Sequence, residues 1–147
     1  MEETTINPIK IVIVEDNVSL AEIYKTRLDL IGYKCSIAYD GEEALALIEL
    51  EKPQLVLLDL MLPKISGDEV LRRMRATDWG KDIRVYVISN LNETEGAADL
   101  RTLGIEGYAV KANLTYDDID RLVDSILKPK DQQEDVSLDT PDTKIVS

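Results

Sequence analysis

The sequence contains no histidine among its 147 residues. That absence removes Ser-His and Cys-His catalytic pairs, histidine-ligated zinc and any phosphohistidine formed on this chain. Cysteine is nearly absent as well. Cys35 stands alone, so no intrachain disulfide can form, and a reducing compartment is the simplest setting. Basic residues are scarce against acidic ones, 17 Lys+Arg to 29 Asp+Glu, for a formal net charge of -12 at pH 7. Such a chain repels phosphate backbones and anionic lipid, which argues against nucleic acid and membrane as partners of this domain. No apolar run approaches the ~20 residues that span a bilayer. The opening "MEETTINP" is acidic and polar, unlike a secretory signal. The expectation is a cytoplasmic protein whose chemistry relies on carboxylates, hydroxyls, lysine and a hard cation.

A hydrophobic share of 44% suits one globular domain. Short apolar runs at 9–14, 34–38, 55–59, 83–89 and 107–110 alternate with helical patterns. Three of the runs are nearly continuous Ile, Val and Leu, as expected of strands buried on both faces of a parallel sheet. Ser19-x-x-Glu22, Asp40-x-x-Glu43, Ser66-x-x-Glu69, Asn92-x-x-Glu95 and Thr115-x-x-Asp118 each resemble a capping box at a helix start. Leu20, Ile23, Tyr24, Leu28 and Ile31 form the stripe of the first helix, which stops at Gly32; Ile119, Leu122, Val123, Ile126 and Leu127 form that of the last. Repeated strand–helix units with short connections predict an α/β, doubly wound domain over residues 9–128. Residues 1–8 read as an N-terminal extension. Residues 129–147, poor in apolar residues and without a helical stripe, read as a disordered polar tail, with Ile145 and Val146 as an alternative docking peptide.

In open α/β sheets ligands bind beyond the carboxyl ends of the strands. The residues at those ends are Glu15 and Asp16, Asp59, Ser89 and Lys111. Singly, each has a plain reading: Asp16 or Asn17 as a helix cap, Asp59 as a loop carboxylate, Ser89 as a turn residue, Lys111 as a solvated cation. On one sheet edge, however, clustered carboxylates repel one another unless something positive joins them. Lys111 supplies one charge, and Mg²⁺, which takes oxygen ligands, can supply two more. Such a site suits a phosphoryl group. Asp59, on the central strand, is the candidate nucleophile, since an aspartate can form an acyl phosphate.

The pattern resembles the receiver domain of two-component response regulators. The residues that carry the resemblance are "IVIVEDN" (Glu15, Asp16), "LVLLDLMLPKISGDEVL" (Asp59, Pro63, Gly67), "VYVISN" (Ser89) and "GYAVK" (Tyr108, Lys111). The resemblance implies a flavodoxin-like (βα)5 sheet with strand order 2-1-3-4-5. It also implies Asp59 as phosphoacceptor, with Glu15, Asp16, Asp59 and the backbone carbonyl of Met61 holding Mg²⁺. A sensor histidine kinase or histidine phosphotransfer protein would be the donor. Ser89 and Tyr108 would act as the switch pair, and a downstream protein as the target of a monomer or phosphorylation-dependent dimer. The chain would not be an enzyme beyond its own phosphorylation and dephosphorylation. Two rival readings are an FMN-binding protein, for which "EDNVS" lacks a Ser/Thr/Gly-rich phosphate loop, and a phosphorylation-independent receiver-like scaffold.

Two positions depart from the family pattern. Ala112 follows Lys111 where many relatives have a cis proline, and a trans bond is expected because a cis bond to a non-proline residue costs ~3 kcal/mol. Asn90 follows Ser89 where a small residue is usual, so its side chain is expected to hinder water at the phosphoryl group. Asn90→Ala is therefore expected to shorten the acyl-phosphate lifetime in a radiolabel-decay assay; an unchanged or longer lifetime would contradict this role.

Overall fold

A computed structural model describes residues 7–91 and 98–128. Residues 1–6 of the expected 1–8 extension, the cap at Asn92 and Glu95, and the tail at 129–147 lie outside the described residues. Within them the elements are β1 (Lys10–Val14), α1 (Val18–Leu30), β2 (Lys34–Ala38), α2 (Gly41–Glu51), β3 (Leu55–Leu58), α3 (Gly67–Arg75), β4 (Arg84–Ser89), α4 (Ala98–Leu103), β5 (Gly107–Val110) and α5 (Tyr116–Leu127). A single 3-10 turn, Lys111–Asn113, joins β5 to α5. The strands form one five-stranded sheet in the order β2-β1-β3-β4-β5. All neighbouring pairs are parallel, as the strand–helix alternation predicts.

The continuous apolar runs of β1 and β3 are explained by their place at the centre, where both faces are covered. Alternate residues enter opposite cores. Val12, Val14, Val56 and Leu58 join Ile48, Leu71, Met74 and Leu100 on one side. Ile11, Ile13, Leu55 and Leu57 join Tyr24, Leu28, Ile119 and Val123 on the other. The strand period of two thus divides one run between two helical layers. At roughly 1.5–3 kcal/mol for each fully buried large aliphatic side chain, this arrangement holds the central strands rigid beneath their carboxyl ends.

The helix starts differ in detail from the expected capping boxes. Asn17, not Ser19, caps α1, its Oδ1 accepting from the Leu20 N–H at 3.0 Å. Ser19 lies inside the first turn, so its hydroxyl has no cap position to fill. Asp40 caps α2, but Glu43 returns its bond to the Tyr39 N–H rather than to Asp40. Ser66 sits at the cap position of α3 without a side-chain cap bond. Among the described residues, only Thr115 and Asp118 close the full reciprocal box. Ile31, expected in the buried stripe, is the C-cap of α1 and is 45% exposed, because the chain turns away at Gly32. Among the described residues the peptide bonds are trans, including that before Ala112.

Cys35 is buried on the α1–α5 side, and burial, with the Asp29 charge adding to it, pushes its thiol up to about 12. Near pH ~8, around the ordinary thiol value, the native protein is expected to resist a disulfide-exchange reagent until urea unfolds it. Rapid labelling in native buffer would contradict this burial.

Candidate functional site

The site grows from the register of the central strands. Val14 pairs with Leu58, so Glu15 and Asp59 leave the sheet side by side. Their backbones stay tied to it, the Asp59 N–H donating to Val14 O at 3.1 Å and the Glu15 N–H to Ala38 O at 3.0 Å. Both side chains are buried, Asp59 at 4% exposure and Glu15 at 3%, whereas Asp16 is exposed. Asp59 is therefore more enclosed than a strand-end residue in an open crevice. Carboxylate oxygens of Glu15, Asp16 and Asp59 lie within 4.8 Å of one another, close enough to share a metal ion.

Such burial would be costly for unpaired anions. Lys111, the residue after β5, supplies the partner, its Nζ standing 2.7 Å from Glu15 Oε1 and 2.7 Å from Asp59 Oδ2. The remaining oxygens are also engaged: the Asn17 N–H donates to Glu15 Oε2 at 3.0 Å, and the Met61 N–H to Asp59 Oδ1 at 3.1 Å. Each oxygen of the buried pair thus accepts a hydrogen bond. Burial raises the Glu15 pKa above 4.5 despite its bonds to Lys111 and Asn17. Burial works against the Lys111 charge too, but the bonds to Asp59 and Glu15 outweigh it and raise that pKa above 10.5.

Both shifts act in the same direction along the pH axis, in different windows. The Lys111 pairing stabilises the fold fully below 10.5 and is lost as pH rises through the raised value. Glu15 favours its protonated form in the fold, a contribution full below 4.5 and lost as pH climbs through its own raised value.

Ser89 ends β4 with no solvent exposure, and it pairs with Val110, directly beside Lys111. Tyr108 is paired with Val87 and sits within β5. The two residues meet through Leu91. The Leu91 N–H lies 3.4 Å from Ser89 Oγ, and Leu91 O accepts from the Tyr108 hydroxyl at 2.8 Å. Sequence reasoning missed Leu91 because its backbone, not its side chain, makes the link.

It also placed Tyr24 only in the helix stripe. The structure puts Tyr24 beside Glu15 and Asp59, on the wall of a cleft of about 510 Å³ that Asn90, Lys111 and Tyr116 also line. Burial first, then the Glu15 charge, pushes the Tyr24 hydroxyl up to about 12. A tyrosine within an apolar stripe was the available signal, since its hydroxyl must leave the core. Gly67 closes the loop after Asp59; a Cβ there would stand 2.2 Å from Asp59 O, so only glycine fits.

A buried aspartate, an acidic pair, a lysine and a hydroxyl gather at the carboxyl edge of a 2-1-3-4-5 sheet, the arrangement of a receiver domain. Residues 11–133 match the response regulator receiver domain, and the chain belongs to that family. It is 40% identical over 106 residues to the Cyanophora paradoxa protein named "Probable transcriptional regulator ycf27", a match covering 72% of this chain and 43% of that protein. The chain thus spans less than half the length of this curated relative. Among solved structures it resembles the receiver domain of Francisella response regulator 1452, at 27% identity and TM-score 0.72, covering 82% of this chain and 96% of that one. The chemotaxis response regulator CheY4 of Vibrio cholerae shares the fold at 21% identity and TM-score 0.75, over 82% of this chain and 100% of that one.

Lys111→Ala would leave two buried carboxylates without their shared cation. It is expected to lower the unfolding free energy by about 3–5 kcal/mol near neutral pH, read from urea melts in EDTA. The loss should shrink as acid protonates Glu15. A loss that stays constant through the acid range would contradict the pairing.

Proposed function

We propose that Asp59 accepts a phosphoryl group from a phosphohistidine on a sensor histidine kinase or histidine phosphotransfer protein. A carboxylate oxygen of Asp59 forms the new O–P bond while the N–P bond of the donor breaks and its electron pair returns to the imidazole. The observation that carries this reading is the buried Asp59 held by Lys111 beside Glu15, with Asp16 in reach.

The donor set fits Mg²⁺: hard carboxylate oxygens, no soft ligand, and an exposed Asp16 that leaves room for retained waters. Glu15, Asp16, Asp59 and the Met61 carbonyl would hold it. Once bound, the ion would offset negative charge on the phosphoryl oxygens. Lys111 already touches an Asp59 oxygen and is placed to follow the charge that arrives there. The Ser89 hydroxyl donates to a phosphoryl oxygen, and its shift is passed through Leu91 to Tyr108. New charge biasing such a linked pair is a means of switching a protein-binding face. Output is then contact with a downstream protein by a monomer or a phosphorylation-dependent dimer in the cytoplasm. The chain acts as no enzyme beyond turnover of its own phosphoryl group.

Labelling by acetyl phosphate is expected to require Mg²⁺ and to vanish in Asp59→Asn, as read by intact-mass spectrometry. Ser89→Ala should still be labelled, but should lose phosphorylation-dependent capture of its partner. Labelling that survives Asp59→Asn, or the absence of any Mg²⁺-dependent adduct, would contradict the proposal and favour a phosphorylation-independent scaffold.

A further inference from the structure

We propose that Gly41, the first residue of α2, is a positioning residue for the loop that carries Met61. This inference rests on the metal-dependent reading above and concerns a residue outside the acidic cluster. The Gly41 N–H donates to Pro63 O at 3.2 Å, joining the β2–α2 turn to the loop after β3. A Cβ on Gly41 would lie 2.0 Å from Ile65 O, 2.6 Å from Ile65 Cβ and 2.7 Å from the Ile65 carbonyl carbon. The obstacles include backbone, so no side-chain rotation relieves them. Among the described residues the positive-φ glycines are Gly32 and Gly104, so what Gly41 supplies is space rather than an unusual backbone angle.

A second link joins the same two segments. Lys64 adopts φ 70, and its Nζ lies 3.4 Å from Asp40 Oδ2. The far end of the loop is closed by the Gly67 N–H on Leu60 O at 2.9 Å. A methyl group at position 41 must therefore displace residues 63–65, and the stretch between Leu60 and Gly67 must absorb the change. That stretch contains Met61, whose N–H holds Asp59 Oδ1 and whose carbonyl is the proposed metal ligand. The turn after β2 thus sets the geometry of a site to which it contributes no ligand.

Calorimetric titration of the full chain with Mg²⁺ tests this. Gly41→Ala is expected to weaken Mg²⁺ binding roughly tenfold, as loss of outer-shell support commonly does. Gly32→Ala should leave Mg²⁺ affinity unchanged while lowering stability, because it strains a turn at φ 112 distant from the metal loop. Unchanged affinity in Gly41→Ala, or an equal loss in Gly32→Ala, would overturn the inference while leaving the metal-dependent reading intact. No Mg²⁺ binding by the unsubstituted chain would overturn that reading and this inference with it. If Gly41→Ala does not fold, amide NMR of the unsubstituted chain decides. The Gly41 resonance should move along the same Mg²⁺ saturation curve as Met61, and a stationary Gly41 resonance would overturn the inference.

Discussion

Two buried carboxylates, Glu15 and Asp59, share one ammonium, and the geometry of the site depends on that sharing. Without Lys111 the fold would hold two adjacent anions almost out of water, an arrangement that desolvation and repulsion both oppose. The strand order makes the sharing feasible. β1 and β3 are neighbours, so their carboxylates emerge together; β5 is separated from β3 by β4. The lysine stem must cross the end of β4, where the small, fully buried Ser89 stands. A long flexible cation and a short hydroxyl are complementary requirements of this one crossing.

The same arrangement explains how a local change can be felt at a distance. Lys111 divides its bonds between Asp59 and Glu15, so a new charge on Asp59 alters that division. Ser89 lies beside it, and through the Leu91 backbone it is linked to the Tyr108 hydroxyl. The path is short and starts at the fully buried Ser89, with Leu91 and Tyr108 half-buried, which limits how far a change of charge is screened by solvent. On the proposed reading the central strands supply the rigid part, and the segment after β4 supplies the part that responds.

Much of this was legible in the sequence, for definite reasons. The limits of β2 and β5 were readable because turn residues and charged or glycine positions bound them closely. The continuous runs of β1 and β3 revealed their central place because a strand covered on both faces needs no polar residue. The carboxylates, Ser89 and Lys111 were readable as a set once each was placed at a strand end. Helix starts were less so: Asn17 and Ser19 are both good caps, and only the backbone course decides which side chain reaches a free N–H. The burial of Asp59 was hidden because it depends on how loops close over the strand end. Contacts such as Gly41 with Ile65, or Leu91 with Tyr108, involve backbone groups far apart in the chain and leave no mark in local pattern.

The sharing of Lys111 can be measured directly by NMR titration of its side-chain ammonium in metal-free protein. The account predicts that this group titrates above 10.5, and that Asp59→Asn lowers its pKa. A Lys111 that titrates at or below the ordinary lysine value, or that is indifferent to Asp59, would contradict the shared ammonium on which the structure is explained.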